Sequence, residues 1–226
     1  MNRRSELLEE MGLGPVWRFK GKSQEKEWQD LKIKVKGCTD CKLRAGCSQT
    51  VFGVGDEKAE WLLVGEAPGA EEDRLGEPFV GQAGRLLDNM LAAISLRRGQ
   101  NVYIANVLKC RPPGNRNPEP DKVAKCSPHL LRQIALIQPK LIVAMGRFAA
   151  QTLLDTDATI ASLRGRVHRY AGVPLIVTYH PAYLLRNLPD KAKAWADLRF
   201  AVKTMAGLKK SGSEPDFFLT PISSQK

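Results

Sequence analysis

The chain has 226 residues, 43% of them hydrophobic, with 35 lysines and arginines against 24 acidic residues and a formal net charge of +11. We expect one substantial core in a cytoplasmic protein, because no apolar run approaches the roughly 20 residues that cross a bilayer and the start lacks the apolar core of a signal peptide. The positive charge favours a polyanionic partner, although basic tails and solvated faces can produce the same balance.

The chain divides into three predicted parts. Residues 1–36 form a helical extension, in which Trp28, Leu31 and Val35 recur at helical spacing. The body spans residues 37–208, and residues 209–226 form a polar, flexible tail.

Apolar runs and helical patterns alternate along the body. Short apolar runs predict strands over residues 61–64, 102–108, 141–144 and 174–178. Helical spacing follows over residues 84–96, 130–138, 147–154 and about 194–205. This alternation predicts an α/β protein with a mainly parallel four-stranded central sheet covered on both faces, a three-layer α/β/α sandwich.

Four cysteines form two separated pairs, Cys38 with Cys41 and Cys110 with Cys126. A thiolate tetrad typically holds a metal or an iron-sulfur cluster. The second pair is spaced C-x15-C rather than C-x-x-C, which favours an embedded structural cluster over a zinc ribbon. Buried free thiols are the alternative, and Cys47 is expected to pack or lie idle beside the site.

Polar motifs follow three of the predicted strands: Gly65-Glu-Ala-Pro-Gly, Asn106 with its following loop, and His180-Pro. Ligands of parallel sheets bind beyond the carboxyl ends of the strands. Each motif alone has a structural explanation, as a turn, a strand cap or a hydrogen-bonded histidine. Together, an acid, an amide and an imidazole at one sheet edge predict a functional site.

These motifs carry a resemblance to the family 4 uracil-DNA glycosylases. Glu72-Asp, Pro78-Phe-Val-Gly, Asn106-Val-Leu-Lys-Cys-Arg-Pro-Pro and Thr178-Tyr-His-Pro-Ala-Tyr-Leu-Leu-Arg occur in the family's order, with the four cysteines, between about residues 37 and 205. The resemblance implies hydrolysis of the N-glycosidic bond of deoxyuridine in DNA. It also implies a monomer, acting on single-stranded or double-stranded DNA, with a 4Fe-4S cluster on Cys38, Cys41, Cys110 and Cys126.

The resemblance assigns a pocket for the extruded base to Gly65, Glu66, Ala67, Glu72, Phe79, Asn106 and His180. Phe79 is expected to stack on the base unless it is a plain core residue, and Asn106 is expected to pair with N3-H and O4 of uracil, which cytosine cannot match. Glu72 is the candidate wall against the methyl group of thymine, because Gly69 stands where family 1 has a tyrosine. A solvated loop carboxylate is the alternative for Glu72.

The expected catalytic residues are His180, Asn115 and Glu66. His180 donates to O2 of the departing uracil anion, in a protonation state that the sequence leaves open. Asn115 matches a residue that holds the attacking water, and Glu66 contributes through its backbone and its carboxylate. Ala67 replaces the aspartate of family 1, so leaving-group stabilisation and positioning are expected to supply much of the rate.

Residues 180–186 resemble the loop that enters the duplex in these enzymes. Leu184 or Leu185 is expected to act as an apolar wedge while Arg186 meets a phosphate, unless both leucines are core residues.

Other functions stay open beside this one. They are a non-turnover or covalently trapping uracil-DNA binding protein of the same fold, a zinc-bearing nucleic-acid module and a relative acting on another deaminated base. The loop between Pro112 and Pro120 lacks the histidine expected of the trapping branch.

Overall fold

The computed structural model describes residues 23–211, except for the side chain of Ser211. The predictions for residues 1–22 and 212–226 lie outside the described residues. Residues 209–211, which the sequence places in the tail, continue the last helix. Along the described chain, no helix combines the length and apolar character needed to span a membrane.

Short helices and strands alternate through the described chain. In order, the elements are α1 (Gln24–Lys36), α2 (Leu43–Gly46), β1 (Val54–Gly55), β2 (Trp61–Gly65), α3 (Ala70–Leu75), α4 (Gln82–Ala93), β3 (Val102–Asn106), a 3-10 turn (Pro113–Asn115), α5 (Pro120–Ile137), β4 (Leu141–Met145), α6 (Arg147–Leu154), α7 (Ile160–Leu163), β5 (His168–Tyr170), β6 (Val173–Thr178), α8 (Pro181–Leu184), a second 3-10 turn (Leu188–Asp190) and α9 (Lys191–Ser211).

The strands form one sheet in the order β1-β3-β2-β4-β6-β5. The inner strands β3, β2, β4 and β6 are parallel and buried along their whole length, as their apolar runs predict. The α/β class is therefore confirmed. The predicted count of four strands is wrong, because β1 and β5 add antiparallel edges. Both are short and partly exposed, so neither shows the apolar run of a buried strand.

Helices cover both faces of the sheet because successive strand residues point to opposite sides. Leu62 and Val64 of β2 pack in one core with residues of α1, α5 and α6. Trp61 and Leu63 face the other core, which includes residues of α4 and α9. The inner part of the sheet is thus shielded from water on both sides, and Asn106 and Thr178, the buried polar residues of its inner strands, lie at strand ends.

Helix α1 belongs to the first of these cores. Its Trp28, Leu31 and Val35 are buried, as their helical spacing predicts. The Trp28 ring meets Tyr103 of β3 edge to face, with ring centroids 5.6 Å apart. The packing of this helix continues the core across the domain boundary predicted at residue 37.

The sheet register brings the three polar motifs to one edge. Gly65 at the end of β2 pairs with Asn106 at the end of β3. On the other side, Met145 of β4 pairs with Thr178 of β6, two residues before His180. Because these strands are parallel, their carboxyl ends open on the same side of the domain.

Candidate active site

A cavity of about 300 Å³ lies at this edge of the sheet. Of the predicted site residues, those that line it are Glu66, Ala67, Glu72, Phe79, Asn106, Asn115, His180 and Arg186. The fold thus assembles side chains from distant parts of the chain around one space. Leu184 and Leu185 are not part of the lining, and Gly65 lies directly behind it.

Gly65 makes room for two of the lining residues. A Cβ atom at this position would collide with Asn106 Oδ1 and would lie 2.7 Å from Cζ of Phe79. Any side chain here would displace the amide or the ring. The glycine therefore lets both groups approach the backbone of β2.

Asn106 lines the cavity and carries a buried acceptor without a partner among the described residues. The residue is 2% exposed, and its Oδ1 has no hydrogen-bond partner among the described residues. An unsatisfied buried polar atom costs about 1–3 kcal/mol. This amide oxygen is therefore poised for a donor on a ligand.

Phe79 also lines the cavity, and its ring approaches Gly65 as the Asn106 amide does. Its backbone adopts a left-handed conformation with φ of 55°, and its ring is buried. The ring stacks against the imidazole of His180, with centroids 5.4 Å apart and planes inclined by 30°. Phe79 is thus a lining residue as well as a member of the core around α4.

His180 is held as a neutral donor. Its Nδ1 accepts a hydrogen bond from the backbone N-H of Ala182 at 3.1 Å, so the proton of the neutral ring resides on Nε2. Burial lowers the pKa of His180 to about 4, although the nearby Glu72 opposes that shift. At neutral pH the ring is therefore uncharged and offers Nε2-H as its donor.

Glu72 organises the backbone around the cavity. Its carboxylate accepts hydrogen bonds from the N-H groups of Gly69 at 3.1 Å, Val80 at 3.0 Å and Gly81 at 3.3 Å. A Cβ atom on Gly69 would lie 2.6 Å from Glu72 Oε2. The carboxylate therefore fills the space into which a side chain at position 69 would project, and three backbone N-H groups hold it there.

Glu66 brings a second carboxyl group to the cavity. Burial raises the pKa of Glu66 to about 7, with Arg147 opposing the shift. A carboxyl with this pKa exchanges its proton near neutral pH, which suits a group that accepts a proton during a reaction.

Asn115 lies at the exposed rim, in the 3-10 turn that follows β3. Its backbone is left-handed with φ of 52°, and its Oδ1 accepts a hydrogen bond from Arg111 Nε at 2.8 Å. Arg111 therefore fixes the amide, and its donor end remains to hold a polar ligand such as water.

The two leucines after His180 differ in environment. Leu184 is 1% exposed and packs with Tyr179 and Ala194, whereas Leu185 is 38% exposed. The expectation that either could act as a wedge is thus corrected for Leu184, because its side chain is a core residue of α8. Arg186 lines the cavity mouth.

The four paired cysteines line a second, smaller cavity. Its lining includes Cys38, Cys41, Cys110 and Cys126. Burial raises the pKa of Cys38, Cys110 and Cys126, and repulsion from neighbouring thiolates adds to the shift. Thiols whose ionisation is opposed in this way become thiolates when a cation binds among them. The donor set therefore fits a metal or an iron-sulfur cluster.

Two further polar residues, Asp40 and His129, lie beside the cysteines; neither was predicted as a site residue from the sequence. Ligand atoms of Cys38, Asp40 and His129 lie within 4.8 Å of one another. Cys47 lies beside Cys110, and its Sγ contacts the carbonyl of Arg44 at 3.6 Å.

Lys109 connects the two cavities. It is 1% exposed, and its Nζ donates to the carbonyl of Asn106 at 2.9 Å and to Gln133 Oε1 at 2.6 Å. Its backbone N-H donates to Cys126 Sγ at 3.2 Å. The only signal for this role in the sequence is that Lys109 stands between Asn106 and Cys110.

The chain is similar in sequence to known proteins. A model described as the Uracil DNA glycosylase superfamily matches residues 52–199, which defines the class of protein. A type-4 uracil-DNA glycosylase of Archaeoglobus fulgidus is 49% identical over 164 residues, covering 69% of this chain and 82% of that protein. The type-4 uracil-DNA glycosylase of Thermotoga maritima is 40% identical over 192 residues, with 84% and 99% covered. That of Pyrobaculum aerophilum is 43% identical over 178 residues, with 75% and 90% covered. The chain belongs to the type-4 uracil-DNA glycosylase family.

Proposed function

We propose that this protein hydrolyses the N-glycosidic bond of deoxyuridine in DNA, releasing uracil and leaving an abasic site. The buried, unpaired Oδ1 of Asn106 carries this proposal, because Asn106 lines a cavity whose wall also includes Phe79 and a neutral histidine donor. An enzyme that acts on a base must extrude the nucleotide from the stack into such a pocket.

Asn106 reads the base. Its Oδ1 accepts the N3-H of uracil while its Nδ2 donates to O4. Cytosine offers an acceptor at N3 and a donor at C4. The same amide would therefore place its acceptor against the acceptor at N3 and its donor against the donor at C4. In a buried site this mismatch discriminates by a factor on the order of 10⁴.

The Phe79 ring is the stacking surface for uracil. A planar base inserted between two rings needs about 7 Å, twice the usual contact distance, whereas the Phe79 and His180 centroids are 5.4 Å apart. Uracil therefore covers the part of the Phe79 face that the imidazole leaves free. In that position its edge, rather than its face, meets His180.

His180 stabilises the leaving group. Cleavage of the glycosidic bond places negative charge on O2 of uracil, and the neutral Nε2-H of His180 donates to that atom. Because Nδ1 is already engaged by the backbone of Ala182, the donor needs no change of tautomer during the reaction.

Hydrolysis requires a water molecule that attacks the sugar as the base departs. The Nδ2 group of Asn115 positions this water, and the ionised carboxylate of Glu66 accepts its proton. Ala67, at the position of the family 1 aspartate, takes no part in proton transfer.

Glu72 excludes the C5 methyl group of thymine from the cavity. Its carboxylate occupies the space beside Gly69 and is held by three backbone N-H groups. Rejecting one methyl group in this way is worth roughly 1–3 kcal/mol.

A 4Fe-4S cluster would be held by Cys38, Cys41, Cys110 and Cys126. When bound, it would form a structural cross-link between the segments that carry these cysteines.

The DNA contacts lie after His180. The exposed Leu185 enters the duplex as the wedge, and Arg186 contacts a phosphate. The protein acts as a monomer on uracil-containing DNA, and its fold is a three-layer α/β/α sandwich.

Release of uracil from an oligonucleotide with one deoxyuridine tests the function. We expect abasic product from the unchanged protein, a strongly reduced yield from Asn106→Ala, and a reduced yield with some release of cytosine from Asn106→Asp. An aspartate can donate to N3 when protonated or accept from the C4 amino group when ionised. Tight binding of the oligonucleotide without release would contradict the proposal and favour the binding protein.

A further inference from the structure

The backbone turn that carries Phe79 is held in an unfavourable conformation. Phe79 has a φ of 55°, in the left-handed region that bulky residues rarely adopt. Such a conformation persists only where surrounding contacts impose it. The contacts made by residues 78–81 therefore decide where the ring lies.

Arg98, a residue that does not line the cavity, holds the carbonyl side of this turn. Its Nη1 donates to the carbonyl of Pro78 at 2.9 Å and its Nη2 donates to the carbonyl of Phe79 at 2.8 Å. Its Nε donates to Asp88 Oδ1 at 3.0 Å, which fixes the plane of the guanidinium group. The Arg98 side chain is 23% exposed, so much of this arrangement is shielded from water.

Glu72 holds the other side of the same turn. Its Oε1 accepts from the N-H groups of Val80 and Gly81, the two residues that follow Phe79. The carbonyls of Pro78 and Phe79 thus face the guanidinium of Arg98, while the N-H groups of Val80 and Gly81 face the carboxylate of Glu72. Gly84 completes the enclosure, because a Cβ atom there would collide with the carbonyl of Phe79.

We infer that Arg98 is a positioning residue that fixes the Phe79 ring in the plane where it stacks on the extruded base. The inference rests on the stacking role proposed above for Phe79. Arginine is suited to this task because its planar fork reaches two carbonyls and a carboxylate at once, whereas the ammonium of lysine cannot reproduce that geometry. Asp88 orients the fork from α4.

A double-mutant cycle separates positioning from general stabilisation. Binding is measured on the cluster-loaded protein with DNA that holds a non-cleavable deoxyuridine, alongside single-turnover excision at saturating protein. Phe79→Ala should weaken binding about 5- to 150-fold, the range for losing one aromatic stacking partner. Arg98→Ala should weaken binding about three- to tenfold, with a smaller change in the saturated rate. Combined with Phe79→Ala, Arg98→Ala should add less than about twofold.

Two further variants make the result specific. Arg98→Lys keeps the charge and should recover only part of the lost binding; it replaces Arg98→Ala in the cycle if the alanine variant fails to fold. Arg132→Ala removes an arginine whose ion pair with Glu27, at 2.8 Å, lies far from the turn in sequence, and it should bind like the unchanged protein.

Equal losses from Arg98→Ala with and without the Phe79 ring would overturn the inference, as would unchanged binding by Arg98→Ala when Phe79→Ala weakens it. Unchanged binding by Phe79→Ala would remove the stacking role and the inference together. Whichever of these results is found, uracil release by the unchanged protein tests the proposed function independently.

Discussion

His180 is prepared for one chemical role by the residues around it. The N-H of Ala182 occupies Nδ1, burial keeps the ring neutral, and the backbone of Gly146 passes so close that a Cβ atom there would lie 2.7 Å from Cβ of His180. Neither the tautomer nor the charge is visible in the motif His-Pro. Both follow from tertiary burial and from a backbone hydrogen bond.

Replacing His180 tests this role. His180→Ala should lower single-turnover excision by about 10² to 10³, the usual scale for losing one donor to a developing anion. Binding to DNA with a non-cleavable deoxyuridine should change much less, because the charge on O2 develops only during bond cleavage. Equal losses in binding and excision would identify His180 as a DNA contact instead.

Two partly buried titratable groups of the site predict a pH profile. His180, with its pKa lowered to about 4, stays neutral above about pH 5, whereas Glu66 ionises around its raised pKa of about 7. Excision should therefore rise as the pH increases through about 7, and Glu66→Gln should be slower with a flat profile. Single-turnover rates between pH 5 and 9 measure both. A Glu66→Gln variant that retains the same rise would exclude Glu66 as the proton acceptor.

The same shifts have opposite effects on stability. For His180 the folded pKa lies below the ordinary value of 6.5, so its contribution is present above that pH and is lost as the pH falls toward 4. For Glu66 the folded pKa lies above 4.5, so its contribution is present below pH 4.5 and is lost as the pH rises through 7. The pH range that ionises Glu66 for catalysis is thus one in which its burial destabilises the fold.

At the scale of elements, the inner strands were predictable and the edges were not. Continuous apolar runs mark strands buried on both faces, which is why β2, β3, β4 and β6 were found close to their true limits. Helix α5 begins at Pro120, ten residues before its predicted start. The prediction missed its first half because that half is polar, partly exposed and contains Pro128. A proline inside a helix suggests an end where this helix continues.

Gly65 offers a test of how an element shapes the site. Gly65→Ala should impair excision strongly, because the added methyl group collides with the Asn106 amide and the Phe79 ring. Gly207→Ala in α9 is the matched control, since nothing lies within 4 Å of a Cβ atom there and alanine favours a helix. Excision and melting temperature are compared for both variants. Full activity of Gly65→Ala would show that the amide and ring tolerate displacement.

At the scale of the whole molecule, the motifs identified which residues meet but not what holds them. The paired cysteines and the residues after each strand could be predicted because their chemistry is visible in their type and spacing. Arg98, Lys109 and His129 could not, because each acts through contacts with residues distant in the chain. Lys109, for example, reaches Gln133 on α5 through a hydrogen bond that no local pattern encodes.

The cysteines join the parts of the molecule that carry the site. Cys38 and Cys41 lie between α1 and α2, Cys110 follows β3, and Cys126 lies on α5. A group bound by all four would therefore anchor the loop after Asn106 to two helical segments. Because the same binding energy stabilises the fold, losing one ligand should affect folding as well as metal content.

Cys110→Ser and Cys47→Ser form a matched pair for this test. Both cysteines are buried in one cluster, at 7% and 8% exposure, but only Cys110 is assigned as a ligand. Cys110→Ser should lose bound iron and sulfide, give less folded protein and melt at a lower temperature, whereas Cys47→Ser should keep its iron and sulfide. Iron and sulfide analysis and thermal melting of anaerobically prepared protein measure these effects. Stoichiometric zinc without iron in the unchanged protein would contradict the cluster, and a Cys110→Ser variant without iron but with unchanged melting would show that the bound group does not stabilise the fold.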